Sequence, residues 1–370
     1  MRILVTGGAG FIGSHLVDGL LKAGHTVRVL DNFEPQVHGN TRPDYLNPSA
    51  EYLEGDVRDR QALRRALEGI EVVFHEAAMV GVGQSMYEIE RYTSANVLGT
   101  AILLDVIVND RLPIQKLIVA SSMSIYGEGQ YACARCGAVA PSLRPLEQLK
   151  ARTWELSCPR CKQPVTAQPT PEEKPLAPTS VYAVSKRDQE ELCLSIGRSY
   201  QIPTVALRYF NVYGARQALS NPYTGVCAIF SSQIKNGHRP LVFEDGGQTR
   251  DFIDVRDIVQ ANILVMNEAR ANYQALNVGT GEPTSIGQIG RRLAVHYGVA
   301  LEPQITRKYR AGDIRHCYAD IAKLRALGFA PSVTLDEGMK ALVAWGQRVS
   351  AEDRVEGAAR ELEARGLTQG

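Results

Sequence analysis

A tyrosine and a lysine four residues apart form the first pair that could do chemistry. Tyr182 and Lys186 lie in the segment SVYAVSK, so on a helix both side chains project from the same face. A neighbouring ammonium stabilises phenolate over phenol, which lowers the tyrosine pKa toward the range of a general base. Because the same spacing also arises on solvated helix faces, the pair predicts acid–base chemistry only together with other motifs.

A glycine-rich turn lies near the N-terminus, between a predicted strand and a predicted helix. In its sequence TGGAGFIG, Gly7 permits the tight turn, Gly10 lets the backbone approach a pyrophosphate, and Gly13 lets the helix pack on the strand. Asp31 ends the next strand, where a carboxylate accepts both hydroxyls of an adenosine ribose and repels a 2′-phosphate. The pattern predicts a dinucleotide site that favours NAD over NADP. The alternative is a simple glycine turn with an incidental aspartate.

Four of the seven cysteines fall in two Cys-x-x-Cys pairs, Cys133 with Cys136 and Cys158 with Cys161. Their separation approximates the knuckle spacing of a four-thiolate zinc ribbon. Four thiolates close a tetrahedral shell and leave no position for substrate, so the predicted zinc is structural. A redox pair and a chance pattern are the alternatives. The position of the cysteines before Tyr182 suggests a flap over the neighbouring pocket.

Short apolar runs alternate with helical stretches, which predicts a parallel sheet covered by helices. The predicted fold class is α/β: a Rossmann doubly wound parallel sheet with a smaller C-terminal substrate lobe and a zinc-ribbon-like insertion. The predicted parts are an NAD-binding Rossmann lobe (1–126), the insert (127–175), a helix carrying Tyr182 with the return to the sheet (176–210), a smaller second lobe (211–348), to which the resemblance described below assigns mainly nucleotide-sugar binding, and a tail that is a frayed helix or disordered (349–370).

Composition excludes several classes of protein. With 44% hydrophobic and 22% charged residues, the chain has the balance of a globular protein, and 370 residues suffice for two lobes. A net charge of +1 provides no field for nucleic acid or an anionic membrane. The apolar run 101–108 is interrupted by Asp105, so no transmembrane helix is predicted. The N-terminus leads directly into the glycine turn without room for a cleavable signal, so we expect a cytoplasmic location.

The glycine turn, Asp31, the segment SSMSIYG after a predicted strand and the Tyr182/Lys186 pair together resemble the extended short-chain dehydrogenase/reductase family of nucleotide-sugar epimerases and dehydratases. The resemblance covers about residues 1 to 345 apart from the cysteine insert. It implies that Ser122, Tyr182 and Lys186 are catalytic. The cofactor-binding residues that it implies are Gly7, Gly10, Phe11, Ile12, Gly13, Asp31, Asn32, Asp56, Val57, Ala77, Ala78, Asn96, Tyr182 and Lys186.

The same resemblance implies a set of substrate-binding residues. Ser122 would hydrogen-bond the reacting oxygen of the sugar, Asp313 would bind the nucleoside ribose, and Cys317 would line the sugar pocket, where a small side chain leaves room for a C2 substituent. For Cys317 a purely packing role is the alternative. The implied diphosphate ligands are Asn211, Arg250 and Arg310.

Departures from the family pattern favour one of its reactions. The 4,6-dehydratases have an Asp-Glu acid–base pair where this chain has Met123 and Ser124, neither of which can move protons at C5 and C6. The loop 79–85 also resembles that of 4-epimerases, and within these we favour the dTDP-L-rhamnose 4-epimerase group. The predicted enzyme is therefore an NAD-dependent nucleotide-sugar 4-epimerase that retains its NAD. A 4-ketoreductase, dehydrogenase or dehydratase of the same family and a non-catalytic NAD-binding sensor or scaffold remain alternatives.

The family resemblance also implies a homodimer. Family members pair through the helices that correspond to residues 92–109 and 181–200. These stretches carry the apolar residues Ile102, Leu103, Val106 and Leu192.

Overall fold

The computed structural model describes residues 1–39, 41–310 and 312–369. The strands, in chain order, are β1 (Arg2–Thr6), β2 (Thr26–Asp31), β3 (Glu51–Glu54), β4 (Val72–His75), β5 (Lys116–Ser122), β6 (Gln130–Cys133), β7 (Gly137–Val139), β8 (Thr166–Gln168), β9 (Thr204–Tyr209), β10 (Asn211–Tyr213), β11 (Leu241–Val242), β12 (Thr249–Asp254), β13 (Gln274–Val278), β14 (Pro283–Ser285), β15 (Gln304–Ile305), β16 (Tyr309–Arg310), β17 (His316–Cys317) and β18 (Thr368–Gln369).

The α-helices are α1 (Phe11–Lys22), α2 (Pro35–His38), α3 (Arg60–Leu67), α4 (Val82–Ser85), α5 (Ile89–Thr93), α6 (Gly99–Asn109), α7 (Leu146–Lys150), α8 (Val181–Tyr200), α9 (Val226–Lys235), α10 (Val255–Asn267), α11 (Ile286–His296), α12 (Ala322–Ala326), α13 (Leu335–Arg348) and α14 (Val355–Ala364). A π-helical turn at Ser94–Leu98 joins α5 to α6, and 3₁₀ turns lie at Met123–Tyr126 and Ala269–Ala271.

Seven parallel strands form the large sheet, in the order β13-β9-β5-β4-β1-β2-β3. β1 is central, and its Ile3 pairs with Val27 of β2 on one side and with Val72 of β4 on the other. The strand order reverses beside β1, which leaves a crevice at the carboxyl ends of β1 and β4 where nucleotides bind in folds of this kind. The predicted Rossmann doubly wound fold class is confirmed.

Helices cover both faces of the sheet, as strands that are buried throughout require. On one face, α1 packs against α10 over a core that includes Val5 and Leu16. On the other face, α3, α6 and α8 pack over a core that includes Leu63 and Leu103. Two independent apolar cores therefore hold the strand ends that carry the predicted site.

The helical run Ile89–Asn109 is long and apolar enough to meet the length and composition test for a membrane span. The position of this run in the fold accounts for its apolar residues. Of its most apolar 18-residue stretch, 44% is buried, and α6 packs against α3 and α8. A core helix of a globular protein passes the same test. We therefore interpret this run as part of the helix layer of the sheet.

The second lobe is assembled around a small sheet in the order β10-β12-β14, with β17 beside β12. Helices α9, α11 and α13 enclose its separate apolar core. Residues 211–348 do not all belong to this lobe, since β13 is an edge strand of the large sheet and α10 packs on α1. The chain re-enters the first lobe because α10 and β13 supply apolar residues that complete its core.

Residues 127–175 fold as a small module on the second lobe. Its three strands form an antiparallel sheet in the order β7-β6-β8, over a core that includes Tyr131, Val139 and Leu156. The two ends of the module meet, because Gln130 of β6 lies opposite Gln168 of β8.

The C-terminal tail, predicted as a frayed helix or a disordered end, contains helix α14 and strand β18. Leu362 of α14 is 4% exposed and packs over Gly83, where an added Cβ would lie 3.4 Å from a leucine methyl group. β18 pairs with β16, so that Thr368 lies opposite Arg310. The partners of the tail come from distant parts of the chain, which explains why its own sequence gave only a weak signal.

Candidate active site

The glycine turn has the geometry that a dinucleotide site needs. Gly7 has a φ of +69°, and an added Cβ there would lie 2.8 Å from the backbone of Ala77. An added Cβ at Gly13 would lie 2.2 Å from the carbonyl oxygen of Gly7, so only glycine allows α1 to approach β1 this closely. Helix α1 starts without a side-chain cap from any described residue and without an acidic residue in its first turn. The amides of this turn therefore point at an anion position.

Asp31 is held at the end of β2 by two backbone amides. Its two carboxylate oxygens accept hydrogen bonds from Ala9 and Phe33, each at 2.9 Å. The next predicted residue, Asn32, donates to Asp56 at 3.1 Å. The carboxylate of Asp31 is thereby fixed beside the glycine turn, with lone pairs remaining for a ribose.

Four further predicted cofactor residues, Asp56, Val57, Ala77 and Ala78, follow the carboxyl ends of β3 and β4. The guanidinium of Arg58 holds the pKa of Asp56 below its usual range, so this carboxylate stays ionised. Val57 is 9% exposed and packs against Gly99 of α6. Ala77 and Ala78 lie one residue beyond the end of β4, after Glu76, and are partly exposed.

The catalytic candidates meet where β5 ends and α8 begins. Ser122 is the last residue of β5, and the hydroxyl of Ser180 caps α8 by accepting from the Ala183 amide at 3.1 Å. Tyr182 lies in the first turn of α8, and its phenol is near enough to the Ser122 side chain for Ser122 to lower the Tyr182 pKa. The fold thus joins a hydroxyl and a phenol that the insert separates in the sequence.

The acidity of Tyr182 differs from the sequence expectation. Burial raises the pKa of Tyr182 to about 12, and the neighbouring Ser122 side chain opposes this rise only in part. Burial also lowers the pKa of Lys186 to about 8, against the effect of the nearby Glu76. Loss of water around the phenol therefore dominates the pKa of Tyr182.

Lys186 is anchored by a buried hydrogen-bond chain. Its Nζ donates to Gln189 Oε1 at 2.9 Å, and Gln189 Nε2 donates to Thr100 Oγ1 at 2.9 Å. His75 lies 2.8 Å from Thr100 Oγ1 through Nε2 and 2.8 Å from Thr6 Oγ1 through Nδ1. Burial lowers the pKa of His75 to about 3, so its ring is neutral. His75 therefore adds no second positive charge to this hydrogen-bond network.

Two of the predicted substrate residues present buried polar atoms that have no partner among the described residues. These atoms are Asn211 Oδ1 and Arg310 Nε. The Arg310 guanidinium lies over Phe243, 4.2 Å from the ring centroid. Buried polar atoms are nearly always hydrogen-bonded, so these positions point to a polar ligand.

The guanidinium of Arg250, unlike Nε of Arg310, has hydrogen-bond partners within the protein. Its Nη1 donates to the carbonyl oxygens of Thr249 and Arg315 at 2.8 and 3.0 Å, and its Nη2 donates to that of Ile314 at 2.7 Å. Arg250 therefore shapes the backbone next to Asp313, and its contact with a diphosphate stays a prediction.

Cys317 lies in an apolar cluster with Met123, Tyr126 and Phe210. Its side chain is 1% exposed, and Thr170 Oγ1 from the insert lies 3.7 Å from its sulfur. This position favours the packing alternative over a free surface in the sugar pocket.

The cysteine pairs of the insert converge on one point. All four Sγ atoms lie within 4.8 Å of one another, and those of Cys133 and Cys161 are 3.5 Å apart. The residue after each pair is left-handed: Gly137 has a φ of +72° and Lys162 a φ of +64°. Tetrahedral zinc with bonds of about 2.3 Å places its sulfurs roughly 3.8 Å apart, so the donor set fits. The four candidate ligands are Cys133, Cys136, Cys158 and Cys161.

Comparison with known proteins adds to this geometry. The family model described as NAD dependent epimerase/dehydratase family matches residues 3–148 and 149–279. The chain belongs to this family. It is 36% identical over 349 residues to dTDP-L-rhamnose 4-epimerase of Burkholderia thailandensis, a match that covers 93% of this chain and 94% of the relative.

Solved structures of other epimerases share the fold. UDP-glucose 4-epimerase from Thermotoga maritima, solved with UDP-glucose, is 31% identical with a TM-score of 0.76, and the match covers 94% of this chain and 99% of that one. UDP-glucuronic acid 4-epimerase from Bacillus cereus, in complex with UDP-glucuronic acid and NAD, is 27% identical with a TM-score of 0.77 and coverages of 95% and 100%.

One residue of this epimerase/dehydratase family member was missed by sequence reasoning. Glu76 follows β4 at the crevice and accepts a hydrogen bond from Tyr209 at 2.9 Å, while Asn262 donates to Tyr209 at 2.7 Å. Burial raises the pKa of Glu76 to about 7, and Tyr209 and Lys186 oppose that rise. The available signal was an acidic residue directly after an apolar strand, but its partners come from β9 and α10.

Asn96 braces the site rather than facing it. It lies in the π-helical turn, where its Oδ1 accepts from the Met79 amide at 2.7 Å and its Nδ2 donates to Ser185 at 2.9 Å. Ser85 makes a second connection by accepting from the Tyr182 amide at 3.0 Å. The loop 79–85 is thereby tied to the helix that carries Tyr182.

Proposed function

We propose that this chain is an NAD-dependent nucleotide-sugar 4-epimerase, which inverts C4 through a transient 4-keto sugar. The observation that carries the proposal is the approach of the Tyr182 phenol to Ser122 near the crevice formed by the glycine turn and Asp31. The glycine turn and Asp31 would hold NAD in that crevice, where NAD would supply the hydride acceptor and donor that the reaction needs.

The roles of the protein residues follow from their positions. Tyr182 takes the proton of the C4 hydroxyl as the C4 hydrogen leaves with its electron pair, and Ser122 orients the oxygen that becomes the ketone. The keto sugar turns over, hydride returns to its opposite face, and Tyr182 returns the proton. Burial raises the pKa of Tyr182, and Lys186, one helical turn away, provides a positive charge that favours the phenolate and counteracts this rise. No net oxidation occurs.

Two features favour epimerisation over the other reactions of the family. Met123 and Ser124 provide no acid–base pair for a dehydratase. Both belong to the 3₁₀ turn after β5, where Ser124 donates to Ser122 Oγ at 3.0 Å. A 4-ketoreductase or dehydrogenase must exchange its cofactor with solvent, whereas an epimerase retains NAD. A non-catalytic sensor would not need Tyr182, so the presence of this residue favours an enzyme.

The experiment is to incubate the purified protein with dTDP-L-rhamnose, UDP-glucose and UDP-glucuronic acid and to follow C4 inversion by NMR. We expect inversion of one or more of these without added NAD, and, in deuterated water, no deuterium at C4. dTDP-L-rhamnose is the first substrate to test, because the Burkholderia thailandensis relative acts on it by name. Absence of inversion together with release of NADH would support the dehydrogenase alternative.

We also propose a structural zinc in the insert, held by the four converging cysteines. Four sulfur ligands complete a tetrahedral shell, so the ion would stabilise the module and take no part in hydride transfer. Its core is small, which is the situation in which a metal contributes most to folding.

A cytoplasmic homodimer completes the proposal. Of the apolar residues considered from sequence, Leu103 and Val106 cannot serve the interface, because both are fully buried in the core of the first lobe. The outward faces of the helices instead carry Leu98, which is 51% exposed, and Val184, which is 42% exposed. Partly exposed Ile102 lies one turn beyond Leu98 on the same face. A second copy of the chain would cover this apolar face.

A further inference from the structure

Buried ion pairs fix the insert to the second lobe. This attachment argues against the mobile flap that the position of the cysteines suggested. Arg144 of the insert donates two parallel hydrogen bonds to the carboxylate of Glu244, both at 2.8 Å. Arg144 and Glu244 are 6% and 3% exposed. A buried bidentate pair of this kind is costly to open, because each charge would then lack a partner.

A second arginine extends the connection. Arg315, which is 2% exposed, donates to Glu244 at 3.0 Å and to Asp245 at 2.7 Å. On its other side it donates to Glu155 of the insert at 2.9 and 2.6 Å. Two side chains of the insert, Arg144 and Glu155, thus meet the loop after β11 through one shared network.

This network surrounds a strained position. Glu244 has a φ of +53°, in the left-handed region that favours glycine. Its amide donates to the carbonyl oxygen of Lys308 at 2.8 Å. Strained residues persist where their surroundings hold them, and here the surroundings are two arginines bound to the same carboxylate. The conformation of the loop 243–245 therefore depends on contacts that the insert supplies.

The same loop borders the residues predicted to bind the nucleotide. Phe243 lies under the Arg310 guanidinium. Arg144 Nη2 also donates to the carbonyl oxygen of Asp313 at 3.0 Å. The insert's Trp154 has its ring centroid 6.4 Å from that of Tyr309, next to Arg310. The insert thereby contacts the loop 243–245 as well as Tyr309 and Asp313, all of which lie beside residues predicted to bind the nucleotide.

We propose that the insert positions the nucleotide half of the substrate, with Arg144 and Glu155 as positioning residues that act through Glu244 and Arg315. This inference rests on the proposed function, since it needs a nucleotide diphosphate near Arg310. Neither residue has to touch the substrate. Their effect is to keep Phe243, Arg310 and Asp313 in a binding geometry before the ligand arrives.

The test uses the full-length protein as purified and measures binding of dTDP and UDP by calorimetry. We expect Arg144→Met to weaken binding of the better-bound nucleotide by about tenfold or more, because small displacements of binding groups have effects of this size. We expect Glu155→Gln to weaken nucleotide binding less, because Arg315 still has Asp245 and Glu244 as hydrogen-bond partners. The matched control is Lys150→Met in the same insert, whose cation pairs only with the exposed Glu147. This control should bind as the wild type does.

Three further readouts separate positioning from loss of structure. NAD content should be unchanged in all variants, and with an active substrate Arg144→Met should raise KM more than it lowers kcat. The double variant Arg144→Met/Glu244→Gln should bind no more weakly than the weaker of its two single variants, because both changes break one connection. If Arg144→Met fails to fold, Glu155→Gln carries the test.

Equal affinities of the wild type, Glu155→Gln and Arg144→Met would overturn the inference, as would additive losses in the double variant. A wild type that binds neither dTDP nor UDP would instead contradict the proposed function itself.

Discussion

Gln189 accepts a hydrogen bond from Lys186 at 2.9 Å, within one turn of the same helix, and both side chains are buried. The amide of Gln189 also reaches Thr100, so the lysine is held from the interior of the first lobe. The ammonium group that the proposed reaction requires is therefore positioned by α6 and β4 as well as by its own helix.

Replacement of Gln189 with leucine should lower turnover. The change removes the acceptor for Lys186 Nζ and leaves the Thr100 hydroxyl without its partner, so the ammonium loses its fixed position. We expect kcat to fall by about tenfold with NAD retained, as observed when a positioning contact rather than a reacting group is removed. Gln201→Leu at the exposed end of the helix is the control, and an unchanged kcat in Gln189→Leu would contradict the role.

Tyr182→Phe should abolish most turnover while leaving the fold intact. Only the ionisable oxygen is lost, and general acid–base groups contribute about 10²- to 10⁴-fold. Turnover would be followed as C4 inversion, and NAD content by absorbance after denaturation. Tyr200→Phe, on the exposed last turn of the same helix, should behave as the wild type. Activity of Tyr182→Phe within tenfold of the wild type would exclude the general-base assignment.

His75 should make the protein less stable in weak acid. Its pKa is near 6.5 in the unfolded chain and about 3 in the folded one, so between these values the unfolded state binds the additional proton. Stability should decrease as the pH falls from 6.5 toward 3. We expect the loss of thermal midpoint between pH 7.5 and pH 5 to be smaller in His75→Gln than in the wild type. A loss of thermal midpoint in His75→Gln as large as that of the wild type would contradict this prediction.

Removal of metal should affect the insert and the nucleotide before it affects the cofactor. Elemental analysis of protein prepared without chelator should find one zinc per chain, and Cys158→Ser should lose it. In that variant we expect a lower thermal midpoint and weaker dTDP or UDP binding, with NAD content retained. Cys227→Ser changes a buried cysteine of the second lobe outside the cluster, so it should keep the metal. Absence of zinc from the wild type would end the proposal of a metal centre.

Leu98→Lys should convert a dimer into a monomer. Leu98 lies on the outward helix face, half exposed, and a charge there would have to be buried on association. Light scattering at micromolar concentration should report twice the chain mass for the wild type and for Leu146→Lys, which changes an exposed leucine of the insert. A monomeric wild type would rule out the dimer.

The first lobe could be predicted from sequence because its signals are local. The glycine turn, the apolar strands and the Tyr182/Lys186 spacing each depend on residues close together in the chain, and α8 has the predicted bounds 181–200. The cysteine pairs are equally local, which explains why their convergence was foreseen. The assignments of individual site residues toward NAD and the sugar remain predictions.

The parts that could not be predicted depend on contacts between distant segments. Glu76 acquires its environment from Tyr209, and Arg144 meets Glu244 across a hundred positions of sequence. The order of the tail likewise depends on β16 and on the loop around Gly83. Arginines and glutamates are normally solvated, so their types alone gave no reason to bury them.

The pairing of β6 with β8 at the base of the insert has a consequence for how the active site assembles. Ser122 and Tyr182 stand on either side of the module in sequence, so their contact requires a long loop to close, at an entropic cost that grows slowly with loop length. Once the module folds, Gln130 and Gln168 are already adjacent and only short connections remain to be ordered. Folding of the module therefore shortens the effective separation in the chain between the hydroxyl of Ser122 and the phenol of Tyr182.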